Sequence, residues 1–249
     1  MSTLVENFEL SKDDFVVIAG NFNNFIMKEK RKNRNYDLNF LIDEIIDKIG
    51  TSGTLMFHTF SWDFCHNIKY DIKNTRSKTG ALGNIALQRD DFKRTKHPIY
   101  SFAVFGKWQE NLVKMDNKSS FSYNSPFAFM HKNRAKMIIV NMELNHSFTF
   151  VHYVEQSHNI NYRFEKDFSG IFIDENGIES RRIYSMFVRK DGVFTDLNPL
   201  EKIFVDKKAM KIKYTLNEEI KLIDLNLTYD IISDDIRQNQ AKNLYVKKF

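Results

Sequence analysis

The 249-residue sequence predicts an α/β fold: a single α/β sandwich-like domain with a parallel or mixed central sheet and a mostly antiparallel C-terminal part. Three observations predict it. Between residues 15 and 60 an apolar run, a helical pattern and a second apolar run follow one another, and strand–helix–strand order implies parallel pairing. Beyond about residue 160 the pattern shifts to alternation around an Asn-Gly turn, as in antiparallel hairpins. Apolar residues make up 42% of the chain, enough for a sizeable core, and 23 phenylalanines predict that the core is aromatic-rich. Three prolines and nine glycines leave no convincing linker, so 1–249 reads as one domain with a soft subdivision near 160.

The elements follow in order. Phe15 to Ala19 reads as a buried strand running into a Gly-Asn loop. KEKRKNRN, residues 28–35, is a charge run expected as a solvated surface. In DLNFLIDEIIDKIG, Asp37 is a helix start and Gly50 a stop. Between them Leu38, Leu41, Ile45 and Ile49 recur at helical spacing. GTLMFHTF, residues 53–60, is the second strand, and residues 62–92 look irregular, with NTRSKTGALGN as a loop. Residues 96–107 give a basic turn and a third strand. KWQENLVKM reads as a short helix, YNSPFAFMHKNRAK as a turn and short helix, and MIIVNM as a central strand. SFTFVHYVEQSHNI opens a helix with Ser147 or Thr149 near its N-terminus. A hairpin over 161–192, two strands in AMKIKYTLNEEIKLIDL and a terminal helix in LTYDIISDDIRQNQAKNL complete the chain.

Composition excludes several classes. One cysteine, Cys65, permits neither a disulfide framework nor a cysteine-based zinc site. With no signal-peptide pattern and no run long enough to span a bilayer, a cytoplasmic protein without membrane insertion is expected. The net charge of +5 is too small to assert nucleic-acid binding, and none is expected.

His152 and Glu155 lie three apart and share one face if their segment is helical. A carboxylate beside an imidazole fixes its tautomer and stabilises the protonated ring. A surface pair would have the same spacing, although Phe148, Phe150 and Val151 point to partial burial. His158, His58 and His66 have no convincing ligand spacing, so no metal is expected. Cys65 beside His66 fits a buried apolar residue better than a nucleophile. GALGN lacks the lysine of a P-loop and reads as a turn. Arg94, Lys96 and His97 precede Ser101 and the apolar run Phe102 to Phe105. Such a basic turn could hold a phosphate-bearing ligand at the strand ends, and a solvated turn would look the same.

Four stretches together resemble the antibiotic N-acetyltransferase family, best known for the aminoglycoside 3-N-acetyltransferases. They are GTLMFHTFS (Gly53 to Ser61), RTKHPIYSFAVFG (Arg94 to Gly106), NSPFAF (Asn124 to Phe129) and TFVHYVE (Thr149 to Glu155), in the family's order. The resemblance, over about residues 10–240, implies an acetyl-CoA-dependent N-acetyltransferase with the family's α/β sandwich. It implies His152 as the base that activates an acceptor amine, with Glu155 in the same motif. It places Arg94, His97 and Ser101 on the cofactor side and Thr59 near the thioester. The family's first strand ends in a His-Ser-Ser-like loop, whereas here the place reads Ala19-Gly20-Asn21. Backbone N–H groups of Gly20 and Asn21 would then have to meet the phosphate oxygens. The expected acceptor is a nucleotide-linked amino sugar of surface-polysaccharide synthesis, because the chain carries more cations than anions. An aminoglycoside is the alternative, as is a non-catalytic CoA-binding relative. The oligomeric state stays open.

Overall fold

The computed structural model describes residues 4–215 and 217–248. Its centre is β1 (Phe15–Gly20), whose first four residues, Phe-Val-Val-Ile, are buried. Such a run is suited to a strand covered on both faces. After α1 (Asn23–Lys32) and α2 (Leu38–Ile49), the chain returns as β2 (Thr54–His58), parallel to β1 with Val16 opposite Leu55. Asp37 caps α2 by accepting from the Asn39 N–H, and Gly50 ends the helix at a positive φ of 69° that favours glycine.

The middle of the chain runs through β3 (Tyr70–Asp71), α3 (Ala81–Ala86), β4 (Lys93–Arg94), β5 (Phe102–Gly106), α4 (Gln109–Lys114) and α5 (Pro126–Lys132). It continues through β6 (Lys136–Val140), α6 (Leu144–Ser147) and α7 (Val151–Ser157). The remainder comprises β7 (Arg163–Ile173), β8 (Glu179–Arg189), β9 (Val193–Thr195), α8 (Asn198–Asp206), β10 (Met210–Thr215), β11 (Glu218–Asp224), α9 (Leu225–Asn239) and β12 (Tyr245–Lys247).

Seven strands form one mixed sheet in the order β10-β11-β6-β1-β2-β5-β4. β6 and β2 flank β1 in parallel, and the outer pairs are antiparallel. Alternation along β1 divides the core. Val16 and Ile18 pack with Leu41, Ile42 and Ile45 of α2 on one face. Phe15 and Val17 pack on the other face with Met137, Phe127 and Ile232. The predicted hairpin is β7/β8, paired from Arg163↔Arg189 to Ile173↔Glu179 and closed at Asp174, whose Oδ1 accepts from the Asn176 and Ile178 N–H groups. It belongs to a separate three-stranded sheet with β3.

Of three local expectations, one needs correction. The charge run lies at the surface as expected, with residues 28–32 carried on α1, which buries Phe25 and keeps Lys30, Arg31 and Lys32 in its last turn, where cations complement the helix dipole. The supposed loop around GALGN contains α3. α7 begins at Val151, with Thr149 two residues before it as expected, while Ser147 bonds back to the Glu143 carbonyl at 2.7 Å within the preceding turn.

Gly20 sits at φ 151°, and a Cβ there would lie 2.4 Å from the Val140 carbonyl oxygen. Gly20→Ala should therefore force β1 and β6 apart at their carboxyl ends. A loss of about 2 kcal/mol in chemical denaturation is expected, and an unchanged midpoint would contradict this close approach.

Candidate active site

The carboxyl ends of the three parallel strands open into one cleft of about 470 Å³. β1 contributes Ala19 and Gly20, β2 contributes Phe57 and His58, and Met142 follows β6. The chain crosses from β1 to β2 on one side and reaches β6 on the other. Ligand crevices in open α/β sheets lie at such reversals of strand order. The far wall comes from Asn145 to Thr149, His152, Thr195 and Leu197, and the rim from Lys78 to Gly80. Gly83 brings α3 against β2 so closely that a Cβ would lie 2.2 Å from the His58 carbonyl oxygen. Among the described residues lining the cleft, Lys78 is the only Asp, Glu, Lys or Arg, and it faces Asp63 at 3.6 Å.

His152 and Glu155 come together as their spacing predicts. Both ride on α7, and His152 Nδ1 lies 2.6 Å from Glu155 Oε2. The imidazole keeps 18% of its side chain exposed on the cleft wall, while Glu155 has none exposed. Glu155 Oε1 accepts from the Tyr162 hydroxyl at 2.8 Å, and Oε2 also lies 2.9 Å from Arg163 Nε. Burial would raise the Glu155 pKa, but His152, Arg163 and the Tyr162 hydroxyl outweigh it and hold the carboxylate below its ordinary value. An ionised Glu155 accepts from Nδ1–H, which leaves the lone pair of His152 on Nε2. Burial, helped by the Arg163 charge and opposed by Glu155, holds the His152 pKa below its usual value. The ring is thus neutral near pH 7 and able to take a proton.

The remaining predicted residues take other positions. Thr59, Arg94, His97 and Ser101 are all buried, and none is among the residues lining the cleft. Arg94 donates through Nε to Ser101 Oγ at 3.0 Å, through Nη2 to the Thr59 carbonyl at 2.7 Å and through Nη1 to the Thr75 carbonyl. Its guanidinium also packs over the Tyr70 ring at 5.0 Å. Ser101 Oγ donates to the Thr59 carbonyl at 2.8 Å, so the 2.8 Å bond between the hydroxyls has Thr59 as donor. His97 Nδ1 accepts from the N–H groups of Ile99 and Tyr100, and Nε2 donates to the Lys118 carbonyl. The predicted basic turn is consequently a packed knot, and Tyr100 is the part of it that lines the cleft. Gly20 lines the cleft as well, whereas Asn21 does not, and its N–H already donates to the Val140 carbonyl at 2.8 Å.

Sequence reasoning missed Tyr162, Arg163 and Thr195. Arg163 opens β7 and reaches Thr195 Oγ1 through Nη2 at 2.7 Å, yet a lone arginine in an alternating strand carries no local signal of burial. Gly83 lay in the discounted GALGN stretch, where its spacing within α3 was the available clue. Burial pushes the Cys65 thiol up to about 11, which disfavours a thiolate. Among the described residues no group of three or more His, Cys, Asp or Glu side chains could hold a metal ion, and no helix is long and apolar enough to cross a membrane.

Two predictions follow from this chemistry. Arg94→Ala should cost about 3 kcal/mol of stability, because it opens a cavity and strips hydrogen bonds from buried acceptors; a denaturation midpoint equal to the parent's would refute the clamp. Burial also pushes His58 and His97 down to about 3, and His131, His152 and His158 lie below their ordinary values. The unfolded chain binds protons on these rings first. Stability should therefore be complete above about pH 6.5 and fall as pH drops from there toward 3, by up to about 1.4 kcal/mol per pH unit for a ring such as His97. Denaturation at pH 7.5, 6.5, 5.5 and 4.5 measures the slope.

Comparison with known proteins agrees with this architecture. A family model described as Aminoglycoside 3-N-acetyltransferase matches residues 30–236. No curated protein matches the sequence. Among solved structures, the fold is similar to AAC-IIIb in its binary complex with CoASH, with a TM-score of 0.77 and 14% identity over 94% of each chain. It is similar to the YokD protein from Bacillus subtilis, with a TM-score of 0.74 and 16% identity over 96% of this chain and 92% of that one. It is also similar to sisomicin-bound AAC-VIa, with a TM-score of 0.75 and 16% identity over 94% of this chain and 95% of that one. The family match spans β2, β6 and the helix that carries His152 and Glu155. The chain belongs to the aminoglycoside 3-N-acetyltransferase family.

Proposed function

We propose that this acetyltransferase moves the acetyl group of acetyl-CoA directly onto an amine, with His152 as general base. The observation that carries the reading is the His152–Glu155 pair, with its imidazole on the cleft wall and its carboxylate buried behind. Acyl transfer needs a neutral amine at the thioester. In this reading His152 Nε2 takes the amine proton as the new C–N bond forms and the C–S bond breaks. The imidazolium is held by Glu155, then returns the proton to the departing sulfur or to water. Such a base contributes about 10² to 10⁴ in rate.

The wall suits the cosubstrate chemically. Phe22, Leu82 and Phe148 offer apolar surface to a pantetheine-like chain, while Ser147, Thr149 and Asn145 offer polar atoms to its amides. Thr59, Arg94, His97 and Ser101 act here by fixing the wall rather than by touching the ligand, and Gly20 lets the strand end approach it closely. The family match and the sisomicin complex of AAC-VIa favour an aminoglycoside as acceptor. A nucleotide-linked amino sugar is the second reading, favoured by the absence of Asp and Glu from the cleft-lining residues and by the presence of Lys78. A polycation is better held by carboxylates, and a diphosphate by a cation.

Initial rates with acetyl-CoA on sisomicin-type drugs and on UDP-, dTDP- and GDP-linked amino sugars decide between acceptors. Turnover confined to the sugars would exclude the drug reading. His152→Ala should lower turnover by about 10² or more and leave the calorimetric affinity for acetyl-CoA nearly unchanged. Glu155→Gln should lower turnover less. Normal turnover by His152→Ala would remove His152 from the mechanism.

A further inference from the structure

We propose that Arg163 is a positioning residue whose buried charge offsets Glu155, so that His152 rests neutral with Nδ1–H fixed on the carboxylate and Nε2 free for the acceptor. The proposal rests on the acetyl-transfer reading for its consequence in catalysis, though its physical core is independent of it.

The argument begins with the arrangement around Glu155. A carboxylate with no exposed surface beside an imidazole would, on its own, draw a proton onto the ring. A ring already protonated cannot serve as a base. Arg163 approaches the same carboxylate oxygen as His152, with 5% of its side chain exposed and Nε 2.9 Å from Oε2. Its terminal nitrogens are committed elsewhere, Nη1 to the Phe187 carbonyl at 3.2 Å and Nη2 to Thr195 Oγ1 at 2.7 Å.

These anchors set the orientation. Although Nε lies within ion-pair distance, its N–H is not aligned for a hydrogen bond to the carboxylate. Arg163 therefore lends Glu155 its charge without competing for the Oε2 lone pair that receives His152 Nδ1–H. Tyr162 completes the shell, with its hydroxyl on Oε1 and its ring stacked on Tyr245 at 3.9 Å. Thr195 lines the cleft, so the same guanidinium joins the dyad to the wall. The charged groups bearing on His152 are Glu155 on its own helix, Arg163 at the start of β7 and Arg189 on β8, while Tyr162, just before β7, bears on Glu155. Both arginines disfavour ring protonation.

The direct test reads the ring rather than the reaction. The protonation midpoint of His152 is measured by NMR on the free protein, assigned by its loss in His152→Ala, in the parent, Arg163→Gln and Arg163→Lys. Arg163→Gln should raise the midpoint by about one pH unit, a tenfold gain in proton affinity, and Arg163→Lys should restore the parent value. The acid limb of kcat/KM should move with the midpoint. An unshifted midpoint in folded Arg163→Gln would overturn the proposal. If Arg163→Gln fails to fold, Arg163→Lys decides alone: a midpoint near the parent's supports the proposal, and a rise of a full unit despite the retained charge overturns it. A shifted midpoint in a protein that acetylates no amine would keep the proposal and sink the acetyl-transfer reading.

Discussion

A carboxylate buried without compensation would be costly enough to take up a proton instead. Glu155 is buried, and the three elements around it answer that constraint. α7 supplies His152, the turn into β7 supplies Tyr162 and Arg163, and β9 supplies Thr195 to hold the guanidinium. Breaking such a cluster on one side leaves an unpaired charge, whereas a complete one fixes the geometry of its members. The site is consequently tied to the junction between the seven-stranded sheet and the β7/β8 hairpin.

The large elements were legible because their signals are local. Asp37 and Gly50 bracket α2, β-branched runs mark β1 and β6, and Asn176-Gly177 marks the hairpin. Where packing overrode composition, the reading failed. The Gly-rich stretch at 80–84 reads as a turn, yet it becomes α3 because Gly83 fits against β2. β3, β4, β9 and β12 span two or three residues each and exist only through their partners.

The site divides in the same way. His152 and Glu155 were visible as a pair because one helical turn joins them. Arg163 was not, since its partner lies across a chain reversal, where periodicity carries no information. The basic turn shows the opposite difficulty. Arg94 and His97 are residue types that hold anions, but here their donors are consumed by the carbonyls of Thr59, Thr75 and Lys118. A count of basic residues cannot separate a ligand site from a buried clamp, because the difference lies in where the backbone carbonyls point.

The strand order also bears on how the chain reaches this state. β6, Lys-Met-Ile-Ile-Val, pairs with β1 on one side and with β11 on the other. Nearly eighty residues separate its synthesis from that of β11. During that interval a nascent chain that has docked β6 against β1 carries an uncovered apolar edge, able to recruit strands from other chains. The β10/β11 hairpin closes that edge only when the ribosome has passed residue 224, so aggregation during production should concentrate in chains interrupted before that point.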